Sequence, residues 1–138
     1  MKRIDKEHSI RPSAESKAYL DVLKEQGVFR RMIDGYVFAA AYAIFKEIEP
    51  QELPSQGRQD LVRDLKLLDD DVLLSLEAGI AATYKRQGKP EPSNGKELLE
   101  ILTCYAEAGL KVLKEQWENK TSSQIQEQIS KIIQTSLS

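Results

Sequence analysis

The chain has 138 residues, 41% of them hydrophobic and 30% charged, with one cysteine, one histidine and a formal net charge of −2. That length suits one ordinary domain with a core of its own, and the slightly acidic balance argues against a dominant nucleic-acid-binding surface. The single Cys104 excludes an internal disulfide and fits a reducing cytoplasm.

The opening MKRIDKEHSIR is charged and has no apolar stretch of the kind a secretory signal carries. The most apolar segment, VFRRMIDGYVFAAAYAIF at 28–45, is interrupted early by Arg30, Arg31 and Asp34. A bilayer-spanning helix needs about 20 apolar residues. The segment therefore reads as a buried helix of a cytoplasmic protein. Charge is unevenly spread: residues 1–31 carry a net +3, residues 32–87 a net −4 and residues 88–138 a net −1.

The pattern is helical almost throughout. A polar arm over 1–12 leads into a helical hairpin over 13–48. Ser13 follows Pro12 and is placed to cap the first helix, with Glu15 in its first turn. Tyr19, Leu20, Val22 and Leu23 give that helix an apolar face, and Gly27 supplies a left-handed stop. Phe29, Met32, Ile33, Tyr36, Val37, Ala40, Ile44 and Phe45 then recur at three- and four-residue steps. Ala39–Ala41 fill other faces, so this helix is expected to be central, with Val37, Ala40, Ala41 and Ile44 nearly fully buried. Gly35 and Gly109 sit where alanine is favoured by about 1 kcal/mol, which implies that something approaches each closely.

Pro50 and Pro54 close the second helix and open a loop. The helical region over 55–118 begins with a short helix marked by Leu61, Val62, Leu65 and Leu68. Asp69-Asp70-Asp71 starts the next, which runs to about Gln87 with Val72, Leu73, Leu76, Ile80 and Tyr84. GKPEPSNG at 88–95 is a loop, and Asn94 with Glu97 makes a box-like start to a long helix carrying Leu98, Leu102, Tyr105, Ala106, Leu110, Leu113 and Trp117. After Thr121-Ser122-Ser123, an amphipathic C-terminal helix over 121–138 carries Ile125, Ile129, Ile132 and Ile133. The expected architecture is all-α, a single compact domain of five to six helices around a central buried one, with room for a short N-terminal strand.

Residues with chemical potential are few. His8 lies in the polar arm and reads as a solvated side chain. Cys104, between Leu102 and Tyr105, reads as a buried small hydrophobe, with no cation nearby to activate it. Asp69–Asp71 are too closely spaced for a calcium loop and suit a helix start instead. Glu97, Glu100 and Glu107 lack the Glu-x-x-His partner of a di-iron bundle. No catalytic, cofactor-binding or metal-ligating set emerges, and a non-enzymatic role is expected.

Three blocks, EQGVFRRMIDGYVFAAAYA, LLSLEAG and EILTCYAEAGLKVLKEQW, spread from Glu25 to Trp117, resemble the Dnd system-associated protein 4 family of bacterial DNA phosphorothioation clusters. The resemblance implies an accessory protein of a DNA-modification or anti-phage defence system, with a protein of that system as its partner and no cofactor. A second, shorter resemblance is to the ribbon-helix-helix family, in which a short strand pairs across a homodimer and enters the major groove. HSIRPS followed by two helices has that order. Ser9 and Arg11 would lie on one face of the strand with Ile10 turned inward, while Arg30 and Arg31 would approach phosphates. The two readings are therefore a protein-binding accessory factor and a small dimeric DNA-binding regulator.

Overall fold

The computed structural model describes residues 3–4, 9–54, 56–59 and 68–137. The fold is all-α, with five helices among these residues: α1 (Ala14–Glu25), α2 (Met32–Phe45), α3 (Asp70–Gln87), α4 (Gly95–Trp117) and α5 (Ser122–Leu137). The expected short helix around Leu61, Val62 and Leu65 lies outside the described residues, as does His8. Leu68, its last marker, is buried. No strand forms among the described residues. Ser13 makes only an isolated antiparallel bridge with Arg58 of the same chain.

Local chemistry sets the helix ends. The Ser13 hydroxyl accepts from the Ser16 amide at 3.1 Å and caps α1. Gly27 then adopts φ +77°, while Val28 N donates to Leu23 O across the end. The second helix starts later than its apolar run, because Arg31 holds an extended N-cap conformation and its amide donates to the Asp34 carboxylate. It also ends before the prolines. Glu47 takes the left-handed φ of +56° and Ile48 N reaches back to Ala43 O. Asp69 occupies the N-cap of α3 without a side-chain capping bond, so its acidic start contributes through the helix dipole. Asn94 caps α4 by accepting from Glu97 N, whereas the Glu97 carboxylate accepts from Ser93 rather than from Asn94. Thr121 and Gln124 exchange reciprocal bonds at the start of α5.

Helices α2 and α4 pack as the central pair. Small residues meet at their crossing: Ala39 and Ala43 on α2 are fully buried and lie against Gly109 on α4, and Ala40 and Ala106 are buried as well. A Cβ on Gly109 would lie 2.0 Å from the Ala39 carbonyl oxygen, so the backbones cross at the closest approach that glycine permits. This crossing fixes which face of α2 is buried. Ile33, Tyr36, Ala39, Ala40 and Ala43 turn inward, Val37 and Ile44 are half-buried, and Ala41 is exposed. The expected face of Val37, Ala40, Ala41 and Ile44 is therefore corrected by about one residue of helical rotation. Gly35 meets Leu20 and Phe29 side chains instead, each 3.0 Å from where a Cβ would stand. Phe29, Phe38 and Trp117 form an aromatic cluster, with ring centroids 5.8–6.4 Å apart.

Candidate functional site

The most unusual chemistry in the molecule is a buried carboxylate. Glu107 lies midway along α4, between Ala106 and Ala108, and is 4% exposed. Its Oε1 accepts from the hydroxyls of Ser13 and Ser16, each at 2.8 Å. Its Oε2 accepts from the Ser13 amide at 3.2 Å and from the Tyr36 hydroxyl at 2.6 Å. Those bonds fill the roughly four acceptor positions that a carboxylate offers. The charge also sits at the N-terminal end of α1, where the helix dipole favours an anion. Glu107 is thus a cap for α1 supplied from another helix. Burial, followed by the charge and hydrogen bond of Glu107, raises the Tyr36 phenol well above its ordinary value.

Beside this cluster opens a cleft of about 210 Å³, lined by residues that include Ser13, Ser16, Tyr19, Leu53, Glu107 and Lys111. A second groove of about 440 Å³ runs from Tyr19 and Val22 to Trp117 and Ile125. At the shared wall the Lys114 ammonium lies 3.5 Å from Glu15 and over the Tyr19 ring. Because both serine protons and the tyrosine proton are already donated to Glu107, the cluster holds its groups in place and leaves no free base facing a free nucleophile.

The N-terminal arm is pinned at further points. Arg58 spans the Glu100 carboxylate with both terminal nitrogens, at 2.9 and 3.1 Å, and its Nε donates to Arg11 O at 2.7 Å. Gln59 N donates to Pro12 O at 2.9 Å. Near the start of the arm, Ile4 N donates to Glu77 Oε1 at 2.7 Å, and Arg3 Nε stands 2.8 Å from Glu77 Oε2. Glu77, on α3, is 1% exposed.

Among the residues singled out from sequence, Ser9 and Arg11 are exposed on either side of Ile10, which is buried at 2%. Arg30 is exposed in the link between α1 and α2. Arg31 is engaged by Asp34, through Nε at 3.1 Å and Nη2 at 2.7 Å. No group of three or more His, Cys, Asp or Glu side chains among the described residues is placed to hold a metal ion. Among them, too, no helix is long and apolar enough to cross a membrane. Cys104 is half-buried, and burial, then the nearby Glu100 carboxylate, pushes its thiol up to about 11.

In the sequence Glu107 stands out only as a candidate metal ligand, and Glu77 does not stand out at all. The available signal was position: each glutamate lies on the apolar face of its helix, Glu107 among alanines and glycine, Glu77 one residue after Leu76. Comparison with protein-family models, with curated proteins and with solved structures finds no match to the chain.

Proposed function

We propose that this chain is a non-enzymatic accessory protein that works through helix-mediated contacts with a protein partner. The resemblance of the three sequence blocks between Glu25 and Trp117 to the Dnd system-associated family supports a partner from a bacterial DNA-phosphorothioation or anti-phage defence system. The observation that carries the reading is the apolar stripe of α5. Ile125 is buried at 2% and Ile129 and Ile132 pack half-covered against the core, while Ile133 is 47% exposed at the edge of the same stripe. A run of branched apolar side chains at three- and four-residue spacing on an outer helix is the usual form of a helix-mediated contact. The saturated Glu107 cluster supports a structural rather than a catalytic use of the buried polar groups.

A second reading, the dimeric DNA-binding regulator, draws on the alternation of exposed Ser9 and Arg11 about buried Ile10 within the net-positive segment. The two are separated by co-expressing the chain with the products of its neighbouring genes and purifying through a tag on the chain. The accessory reading expects a defined neighbour-encoded protein to co-elute, and Ile133→Glu, at the exposed position of the stripe, to weaken that. A chain that elutes alone and instead binds duplex DNA overturns it.

A further inference from the structure

Helix α3 packs on α2 and α4 and buries Leu73, Leu76, Glu77, Ile80 and Thr83. On an outer helix the side opposite the core is ordinarily charged. Here it is not. Between Asp71 and Lys85 the one charged residue is Glu77, which is turned inward and 1% exposed. The outward side instead carries Leu74, 47% exposed, with Ser75, Ala78 and Ala82 exposed beside it. Asp71 closes this stripe at one end and Lys85 at the other. Both are exposed, and neither has an opposite charge to pair with among the described residues.

We propose that this face of α3 is the interface of a homodimer, in which two copies pair their α3 helices antiparallel about a two-fold axis at Ala78. A stripe acidic at one end and basic at the other is complementary to itself, so the occupant that fits it is a second copy of this chain. The charges also set the register. With Asp71 opposite the partner's Lys85, Leu74 falls opposite the partner's Ala82 and Ala78 opposite its own copy. Each large side chain then meets a small one, and the axis passes where alanine lets the helices approach closely. A parallel pair would set Asp71 against Asp71 and Lys85 against Lys85. Antiparallel packing also brings each helix N-terminus beside the partner's C-terminus, which the helix dipoles favour. The stripe is about 21 Å long and one helix wide, short of the roughly 800 Å² per partner of a standard interface. Association is therefore reversible, with a dissociation constant on the order of 10–100 μM. The surface is separate from the α5 stripe, and the dimer rests on neither functional reading given above.

The test is sedimentation velocity of the full chain from about 1 μM to about 500 μM, a range that brackets the expected dissociation constant. The unaltered protein should pass from monomer to dimer across it. Asp71→Lys and Lys85→Asp should each weaken self-association about tenfold or more, because each sets like charges together at both ends of the stripe. Mixed, the two variants should pair with each other as well as the unaltered chain pairs with itself, since both end contacts are again opposite in sign. That recovery separates a lost interface from a damaged fold. A monomer at every concentration overturns the proposal, as does a dimer indifferent to either reversal or a mixture that fails to associate. Cross-linking tests the axis. In a Cys104→Ala background, Ala78→Cys should form a disulfide-linked dimer under mild oxidation far faster than Val72→Cys, whose copies would lie about 18 Å apart along the paired helices. Equal rates would sink the register and the interface with it.

Discussion

The Tyr36 hydroxyl on α2 donates a 2.6 Å hydrogen bond to Glu107 on α4, joining the central helix pair at the carboxylate that also caps α1. Three helices therefore share one buried charge. Hydrogen bonds to charged groups contribute about 1.5–3 kcal/mol each, so Tyr36→Phe is expected to destabilise the protein by that amount in urea unfolding. Glu107→Gln should cost more, because the amide offers one acceptor oxygen to the donors of Ser13, Ser16 and Tyr36.

Gly109→Ala tests the α2–α4 crossing. Helix propensity favours alanine by about 1 kcal/mol, but the new Cβ would stand 2.0 Å from the Ala39 carbonyl oxygen, and backbone cannot swing aside. Net destabilisation of roughly 1–3 kcal/mol is expected. Gly35→Ala should be much milder, since its neighbours are the ends of Leu20 and Phe29 side chains. Equal melting temperatures for the two variants would contradict this ordering.

Glu47→Gly should stabilise. A non-glycine residue in the left-handed region costs roughly 1 kcal/mol, and Glu47 sits there with φ +56°. Its ion pair with Arg86 is exposed on both sides and returns little. An increase in melting temperature is expected; a decrease would mean that the ion pair outweighs the backbone.

Alkaline pH should expose the buried acids one after another. The Cys104 thiol ionises near 9.0 when unfolded but is pushed up to about 11 in the fold, chiefly by burial. Its contribution is complete below pH 9 and drains away as pH rises toward 11, because the unfolded state releases the proton first. Tyr36, ordinarily near 10.0 and held far higher, begins the same loss at about pH 10. Cys104→Ala should flatten the decline in melting temperature between pH 9 and 11, and alkylation of the thiol should reach half its maximal rate near pH 11.

Charge reversal at Arg11 and Arg30 probes the DNA-binding alternative without touching the Arg31–Asp34 cap. On the accessory-protein reading, fluorescence anisotropy with duplex DNA stays flat at low salt for both proteins. Micromolar binding that weakens with salt, with a log–log slope of roughly −0.9 per neutralised phosphate, and that is lost in the variant, would establish the regulator instead.

Much of the architecture could be read from local signals. Ser13, Gly27, Asn94 and the Asp69–Asp71 run marked helix ends, because caps and dipoles act within one turn. Gly35 and Gly109 announced close approaches, since only packing explains glycine where propensity resists it. The rotation of α2 was less legible. Its alanines look alike in sequence, and the inward ones are chosen by where Gly109 arrives from a distant helix. The roles of Glu107 and Glu77 were hidden for the same reason: their donors come from residues 13, 16, 36 and 4, with no local spacing to betray them.

The separation of those donors has a consequence for how the protein is made. Ser13 leaves the ribosome 94 residues ahead of Glu107. At bacterial or eukaryotic translation speeds of about 5–20 residues per second, that is a delay of roughly 5–20 seconds. Throughout it, α1 has its own Ser13 cap but no carboxylate at its head, and the small-residue face of α2 has no partner. The nascent hairpin is therefore an unfinished body that sets only when α4 emerges, so a chain stalled before that point would present its apolar face to chaperones rather than to its partner.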